Sequence, residues 1–446
     1  MNKNLLYYLL AITLVASCRK DDDNAFDKSP DERINETLAT YQKALSGSPY
    51  GWNANLITAD GGSYRFYFSF TDSNRVQMYS DFDSTTATVI KESSYRLKAL
   101  QQPSLIFDTY SYIHILSDPD GSVNGGTYGS GLRSDFEFSI DTAAADSISL
   151  TGRFNGSKLS LRKAAQADRA VWANKQVTNG VLNFKNYWKF LSYWRRLTYG
   201  NTEYELLFDS TIKRVTVSWA SGSTRQSVSR GYYFWANGVY FSDPVVNGSA
   251  TIPGFSITSF ISGAPAAQVM NVTVNGTAAT IKGATGTVVP INPDVRNASN
   301  RWRQQGAAGD DFWVSFDGFH VNGVDDAYNI KSIKNDTAKF YFILYKPNSD
   351  NVDAFFTIYR DTISDELARE SGSWVRMNIL TSTGKANINE LEEIVRSPWP
   401  LTGPAALTRA QMYNGGGYYI VQSSSITYDM VSIADPTVWI TWFWVF

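Results

Sequence analysis

Short runs in which apolar and polar residues alternate fill residues 64–161 and predict an antiparallel meander. Turn residues separate the runs, among them Asp118-Pro119-Asp120-Gly121 and Asn155-Gly156, and Asn-Gly is a preferred two-residue turn of β-hairpins. The predicted strands are 64–70, 75–82, 95–100, 104–110, 112–116, 136–140, 148–154 and 158–161. Eight strands in succession favour a closed or nearly closed sheet, because closure removes exposed strand edges.

A helix is predicted before this meander. Ser29 can cap its first turn, Pro30 suits the start of a helix, and Asp31 and Glu32 would lie at the positive end of the helix dipole. Apolar residues then recur at helical spacing up to Gly47, namely Ile34, Leu38, Tyr41 and Leu45. The pattern predicts an amphipathic helix that packs on the sheet.

A second unit of the same kind follows. Residues 184–197 predict a helix with Tyr187, Phe190, Leu191 and Trp194 on one face. Features of the first meander recur after it in the same order: Phe70 to Val76 as Phe208 to Val215, Ser117-Asp118-Pro119 as Ser242-Asp243-Pro244, and Asn155-Gly156 as Asn275-Gly276. This recurrence predicts duplication of the helix-plus-meander unit.

The last third of the chain is also rich in predicted strands. Residues 283–300 have the Gly, Thr, Pro and Asn content of a connection. Residues 387–395 predict a helix, and the chain ends in an apolar run from Val438 to Phe446, typical of a strand covered on both faces. The other predicted strands are 312–319, 339–346, 354–360, 374–380 and 418–428.

These patterns predict a mainly β fold, in which a helix is followed by an antiparallel, barrel-like meander, the unit is duplicated, and a β-rich C-terminal region follows. A chain of 446 residues exceeds the size of one hydrophobic core. The predicted segments are a signal peptide at 1–17, an acidic tether at 18–28, the first unit at 29–170, the second at 180–290 and the C-terminal region at 300–446.

The N-terminus indicates where the protein is located. Lys3 precedes a short apolar run, Leu5 to Leu14, and Val15-Ala16-Ser17 leads to Cys18, the only cysteine. This order resembles a bacterial lipobox, which implies that Cys18 becomes the lipidated first residue. The alternative is an ordinary secretory peptide in which Cys18 is incidental.

The residues after Cys18 resemble the surface-export signal of Bacteroidota lipoproteins. They include Lys20, Asp21, Asp22 and Asp23. The resemblance implies a lipid-anchored protein of the outer membrane that faces the extracellular medium. A solvated, flexible tether is the alternative interpretation of the same charges.

The composition argues against several classes of function. Forty basic residues stand against forty-two acidic ones, so nothing in the charge attracts nucleic acid. Two histidines and one cysteine leave no intrachain disulfide and no Cys or His metal motif, so we expect no metal site and no cofactor. The turn Asp118-Pro119-Asp120-Gly121 lacks the glycine and glutamate that an EF-hand loop requires further on.

Several segments resemble a Bacteroidota surface lipoprotein family known only as a domain of unknown function (4302). They are Phe26-Asp27-Lys28-Ser29-Pro30-Asp31-Glu32-Arg33, Tyr50-Gly51-Trp52, Leu105-Ile106-Phe107-Asp108-Thr109-Tyr110 and Ser134-Asp135-Phe136-Glu137-Phe138. The resemblance implies work beside an outer-membrane barrel transporter and its surface lipoprotein, and hence nutrient capture. It supplies no catalytic residues.

Aromatic strands provide the candidate binding site. Aromatic residues make up 14% of the chain, and Tyr232-Tyr233-Phe234-Trp235 followed by Tyr240 places rings on both faces of adjoining strands. A half-covered sheet cannot bury both faces, so some rings are expected to be exposed to sugars or apolar ligands. Tyr232, Tyr233, Trp235 and Tyr240 are the candidate ligand-binding residues, with core packing as the alternative.

The leading hypothesis is a non-catalytic surface lipoprotein that binds an extracellular nutrient, glycan or peptide, as an accessory to an outer-membrane uptake complex. A carboxylate-dependent, glycosidase-like hydrolase is the first alternative, since two carboxylates suffice for that chemistry. The available glutamates are Glu137, Glu203, Glu205, Glu390, Glu392 and Glu393. A structural adhesin or assembly subunit is the second alternative.

Overall fold

The computed structural model describes residues 28–332, 338–348, 352–361, 367–395 and 403–445. The predicted signal peptide, Cys18 and the export residues 20–23 lie outside the described residues. The described chain is mainly β, with two closed eight-stranded antiparallel barrels and a third β-sheet, which confirms the predicted fold class. None of the helices in these ranges is long and apolar enough to cross a membrane.

The first barrel follows helix α1 (Pro30–Ser46), which begins where it was predicted. The Ser29 hydroxyl accepts a hydrogen bond from Glu32 N, and the Glu32 carboxylate accepts one from Ser29 N, so each satisfies a free amide. Each strand pairs with the next, and β1 pairs with β8 to close the barrel. The strands are β1 Trp52–Ile57, β2 Ser63–Phe70, β3 Arg75–Ser80, β4 Lys91–Ala99, β5 Pro103–Phe107, β6 Glu137–Ala143, β7 Ser147–Gly152 and β8 Lys158–Lys163.

The prediction of a strand at 112–116 is wrong. Tyr112–Ile115 forms the one-turn helix α2, and Gly121–Asn124 forms a second short helix, α3, in the same β5–β6 connection. The eighth strand of the barrel is instead β1, which the sequence analysis missed. The alternating residues 112–114 are all buried, so they do not divide into a core face and a solvent face.

The second barrel repeats the connectivity of the first, with β9 pairing with both β10 and β16. Helices α4 (Gln166–Ala173) and α5 (Gln176–Phe184) and a 3₁₀ turn (Lys185–Lys189) precede it, and a 3₁₀ turn (Pro265–Ala267) lies within it. The strands are β9 Arg195–Tyr199, β10 Thr202–Asp209, β11 Arg214–Ser221, β12 Thr224–Trp235, β13 Gly238–Asn247, β14 Ala250–Ile261, β15 Val269–Val274 and β16 Thr277–Gly283.

The predicted helix at 184–197 is also wrong, because the α-helix ends at Phe184 and residues from Arg195 onward enter β9. The buried side chain of Gln268 explains part of the difference. Its Oε1 accepts a hydrogen bond from Leu191 N at 2.7 Å, and its Nε2 donates one to Lys189 O at 2.9 Å. These backbone groups therefore have partners without a helix.

Two of the three sequence echoes occupy equivalent places in the two barrels. Asn155-Gly156 and Asn275-Gly276 each form the turn before the last strand, and residues 70–76 and 208–215 each join the second and third strands. The third echo is not equivalent, since Ser117-Asp118-Pro119 lies in a connection whereas Ser242-Asp243-Pro244 lies within β13.

The third β-sheet follows helix α6 (Val295–Gly306). Strand β17 pairs with β19 and also with β25, so the strand pairings from β17 through β25 form a closed ring. The short strand β18 also pairs with β25, next to β17. The elements are β17 Phe312–Ser315, β18 Phe319–Val321, a 3₁₀ turn Ile330–Ser332, β19 Ala338–Lys346, β20 Asp353–Asp361, β21 Leu367–Leu380, β22 Lys385–Val395, α7 Gly403–Met412, β23 Tyr418–Gln422, β24 Thr427–Ser432 and β25 Val438–Val445.

The predicted helix at 387–395 is wrong, since these residues belong to β22. They pair in antiparallel register with β21, from Lys385 opposite Leu380 to Val395 opposite Ser371. The glutamates and leucine in this segment favour a helix locally, and hairpin pairing with β21 overrides that preference.

His114 in α2 is buried as a neutral imidazole. Its Nδ1 accepts a hydrogen bond from Ser111 N, and its Nε2 donates one to Phe107 O, both at 3.1 Å. The ring lies between Tyr110 and Phe136, with centroid distances of 5.6 and 4.8 Å. Burial is the largest cause that lowers the pKa of His114, and Lys91 lowers it further.

We therefore expect the protein to lose stability as the pH falls below about 6.5, the pKa of histidine in an unfolded chain. A folded-state pKa below the unfolded value means that unfolding takes up a proton, so the stability present above pH 6.5 is lost as the pH falls through the folded pKa. NMR titration of the imidazole measures that pKa, and denaturation at each pH compares wild type with His114→Gln. A pKa of His114 at or above the unfolded value would contradict the expectation.

Candidate binding site between the barrels

A buried ion pair joins the first two barrels. Lys213 Nζ lies 2.6 Å from Asp81 Oδ2, with side-chain exposures of 5% and 0%. The Asp81 carboxylate also accepts hydrogen bonds from Arg65 N at 2.8 Å and Phe234 N at 2.6 Å. Burial raises the pKa of Asp81 and lowers the pKa of Lys213, and each group's charge opposes the shift of the other.

Aromatic and cationic side chains extend this contact. The Arg65 guanidinium of β2 lies 5.3 Å from the ring centroid of Tyr233 and 5.2 Å from that of Trp235, both on β12. Trp172 of α4 stacks on Tyr79 at 5.8 Å and meets Trp235 edge-on at 5.9 Å. The first barrel and α4 therefore cover the face of β12 that the sequence analysis expected to be exposed.

The predicted ligand-binding residues divide between the two faces of these strands. Tyr232 is 2% exposed and belongs to the core of the second barrel. Tyr233, Trp235 and Tyr240 are half-buried on the other face, where Tyr233 stacks on Tyr240 at 6.2 Å. The structure therefore does not bring all four residues into one site, and their role in ligand binding stays a prediction.

A cleft of about 210 Å³ lies beside the ion pair and includes Tyr232 in its lining. Trp188, 43% exposed, and Lys185, also exposed, lie at its rim, whereas Lys213 and Tyr232 lie at its buried end. Both barrels, α3, α5 and the 3₁₀ turn after α5 contribute to it. The full lining is Tyr64, Phe82, Asn124, Val181, Phe184, Lys185, Trp188, Ser210, Thr211, Lys213, Tyr232 and Phe234.

Two side chains with hydrogen-bond donors, Tyr232 and Lys213, lie at the buried end. The Tyr232 hydroxyl has no hydrogen-bond partner among the described residues. Burial raises the pKa of Tyr232, so this hydroxyl stays protonated. The Lys213 ammonium has three N–H groups; it donates to the carboxylate and the backbone oxygen of Asp81, and it also lies 4.7 Å from the ring centroids of Tyr64 and Phe234.

Segment 176–189 comprises α5 and the 3₁₀ turn after it, and we call it the lid. Hydrogen bonds to the second barrel fix its position. Gly180 N donates to Ala236 O at 2.9 Å, and a Cβ at Gly180 would lie 2.9 Å from the carbonyl oxygens of Ala236 and Gly238. Tyr187 donates from its hydroxyl to Leu206 O at 2.8 Å. The cleft wall formed by the lid is therefore preorganised.

The candidate catalytic groups lie elsewhere. Glu205 is buried and accepts hydrogen bonds from Arg196 and from Ile291 N and Asn292 N, and Glu390 binds Arg409. Among the described residues, neither of these carboxylates nor any other lines the cleft. Within the described ranges, no three His, Cys, Asp or Glu side chains gather as a metal site would require.

The sequence analysis missed most of the cleft. Lys213 lay within the recurring segment Phe208 to Val215 and received no role of its own; in the structure its backbone has a φ of +49°, which is uncommon for a residue with a side chain. Trp188 was the available signal, because it lies off the apolar face of the predicted helix and had no place in a core.

The comparisons identify a family and little else. Residues 22–259, which are 238 of the 446 residues, match the family described as Domain of unknown function (DUF4302), and the chain belongs to this family. No curated protein matches the chain significantly in sequence. Among solved structures, it is weakly similar to the crystal structure of the Helicobacter pylori beta clamp bound to DNA ligase peptide, with 8% identity over 92% of this chain and 97% of that chain and a TM-score of 0.11, which carries no argument about fold or function.

We expect Lys213→Met to lower the free energy of unfolding by about 3–5 kcal/mol, because it leaves the Asp81 carboxylate buried without a counter-charge. Asp81→Asn combined with Lys213→Met should recover a large part of that loss, since the amide keeps an acceptor and carries no charge. Urea denaturation of wild type, both single variants and the double variant measures the coupling between the two residues. Strict additivity of the single effects would show that the pair does not hold the barrels together.

Proposed function

We propose that this member of the DUF4302 family is a non-catalytic, lipid-anchored protein of the outer-membrane surface that binds an extracellular glycan in the cleft between its first two barrels. Its partners would be an outer-membrane barrel transporter and the surface lipoprotein of that transporter. The lipobox-like sequence at Cys18, the acidic residues after it and the family resemblance support the location and the partners.

The unpartnered Tyr232 hydroxyl carries the proposal for the ligand. A hydroxyl at a cavity wall that has no partner in the protein can hydrogen-bond a ligand oxygen, and such a bond contributes about 0.5–1.5 kcal/mol. Phe82 and Trp188 add ring surfaces at the less buried part of the cleft. Apolar rings combined with a few hydroxyl and ammonium donors suit the C–H faces and hydroxyl oxygens of a sugar.

Two features favour a glycan over a peptide. An extended peptide commonly binds by adding a strand to an open sheet edge, and both barrels that form the cleft are closed. The volume of about 210 Å³ lies below the roughly 300–1,000 Å³ typical of small-molecule pockets. The cleft therefore suits one sugar unit, such as the end of a glycan chain.

The absence of carboxylates from its lining favours binding over glycoside hydrolysis.

Tyr232→Phe should weaken glycan binding without changing the fold, because it removes only the hydroxyl that faces the cleft. One neutral hydrogen bond is worth about 0.5–1.5 kcal/mol, so we expect affinity to fall about two- to tenfold. A screen of labelled mono- and oligosaccharides identifies a binder, and isothermal titration calorimetry measures its affinity for each variant.

The matched control for this experiment is Tyr233→Phe, which removes a hydroxyl from the next residue on the opposite face of the same strand. It should leave affinity unchanged. Equal losses in the two variants, or saccharide turnover by the wild type, would argue against the proposed site and function.

Cys18→Ser should abolish lipid attachment, because a serine hydroxyl is a much poorer nucleophile than a cysteine thiol near neutral pH. Acyl chains contribute about 0.8 kcal/mol per buried CH₂, so the variant should lose its membrane anchor. Labelled-palmitate incorporation and carbonate washing of membranes measure the two effects. A wild type without label, or a Cys18→Ser protein that stays bound to washed membranes, would contradict lipid anchoring.

Alanines at residues 20–23 should keep the lipid and move the protein to the periplasmic face. Protease treatment of intact cells distinguishes the two faces, since only a surface protein is digested. Digestion of this variant at the wild-type rate would show that the acidic residues do not direct export.

A further inference from the structure

A second cavity, of about 330 Å³, lies on the other side of the lid. We call it the groove, and β14 provides its opposite wall. Its lining is Asn183, Asn186, Lys189, Ile257, Thr258, Ser259, Phe260 and Ser262. The lining differs from that of the cleft, because polar side chains dominate it.

Several polar groups of the groove are available to a ligand. The carboxamides of Asn183 and Asn186, the ammonium of Lys189 and the hydroxyl of Ser262 have no side-chain hydrogen-bond partner among the described residues. Each carboxamide provides two N–H donors and one acceptor oxygen, which can hydrogen-bond neighbouring sugar hydroxyls. The half-buried ring of Phe260, held edge-on against Phe190 at 5.3 Å, adds an apolar surface.

The lid separates the groove from the cleft and contributes to both. Phe184, Lys185 and Trp188 line the cleft, whereas Asn183, Asn186 and Lys189 line the groove. The groove residues are spaced by three, as on one side of a helical segment. In three sequence-adjacent pairs one residue lines each cavity, and in one of these pairs, Trp188 and Lys189, both residues are exposed.

We propose that the groove is a second sugar subsite and that the ligand is an oligosaccharide that crosses the lid from the cleft to the groove. This inference rests on the proposed glycan-binding function of the cleft. It specifies the ligand as a chain of several hydroxyl-rich units, with one unit in the aromatic cleft and another held by carboxamides.

The distance between the subsites is fixed by the structure. Gly180 anchors the lid at one end and Gln268 holds Lys189 and Leu191 at the other. The diameter of a helix is roughly 10–12 Å, so a ligand must be long enough to span a gap on that order. Affinity should consequently rise with chain length once the chain reaches the groove.

The test uses the full chain and a series of neutral oligosaccharides, from monosaccharide to hexasaccharide, prepared from glucan, xylan, mannan and galactan. Isothermal titration calorimetry measures affinity along each series. For the series that binds, we expect the longer members to bind wild type at least about tenfold more tightly than the monosaccharide, since two or more added hydrogen bonds are involved.

Asn183→Ala combined with Asn186→Ala should abolish this gain and leave monosaccharide affinity unchanged. The control is Asn174→Ala, an equivalent change at an exposed residue that lines neither cavity. Asn186→Asp, which keeps the shape of the side chain but not its N–H donors, provides a second variant that tests the amide without creating a void.

The outcomes separate this inference from the proposed function. Affinity that does not change with chain length, or a gain that survives in the double variant, overturns the second subsite and leaves the cleft intact. Failure of every saccharide to bind wild type overturns glycan binding itself. Equal weakening of short and long ligands by Tyr232→Phe, together with loss of only the length gain in the Asn variants, supports both.

Discussion

The arrangement of the first two barrels depends on burying Asp81 and Lys213 together. Removing two charges from water costs several kcal/mol per ion unless good geometry and further hydrogen bonds compensate. Here the carboxylate receives Lys213 and two backbone N–H groups, one from each barrel. A rotation or slip of either barrel would separate these groups, so the pair fixes the relative position of the barrels and the shape of the cleft beside it.

Barrel closure imposes a second constraint. A closed sheet has no free strand edge, so it contacts other parts of the protein through its side chains. Strand β12 therefore has two apolar faces for two different reasons. Tyr232 and Phe234 pack in the core of the second barrel, whereas the rings of Tyr233 and Trp235 contact the Arg65 guanidinium of the first barrel. The same two-faced pattern led the sequence analysis to expect exposed rings, since a sequence does not reveal that another barrel covers the strand.

The success of the sequence predictions follows the range of the interactions that determine each element. The start of α1 and the Asn-Gly hairpins depend on residues within a few positions, and their signals were correctly interpreted. The end of α5 depends on Gln268, which lies almost 80 residues further along the chain. Strand β22 is set by its pairing with the neighbouring strand β21, which local helix preference does not reveal. The cleft was the hardest feature to predict, because its lining residues are scattered along the chain between Tyr64 and Phe234. Tyr232 was named as a candidate, but Lys213 and Trp188 acquire a role only when the barrels meet.

The two junctions along the chain differ in a way that bears on function. Between the second barrel and the third sheet, the hydroxyl of the buried Tyr193 donates to the Asp429 carboxylate at 2.7 Å, and that carboxylate also accepts from Thr441. Apolar residues including Trp194 and Val431 pack around this contact. Between the first two barrels, an equally buried tyrosine, Tyr232, faces a cavity with its hydroxyl unpaired. The Tyr193 hydroxyl is thus fixed by a carboxylate of the third sheet, whereas the Tyr232 side chain borders a cavity, and the proposal of a ligand site at the first junction rests on this difference.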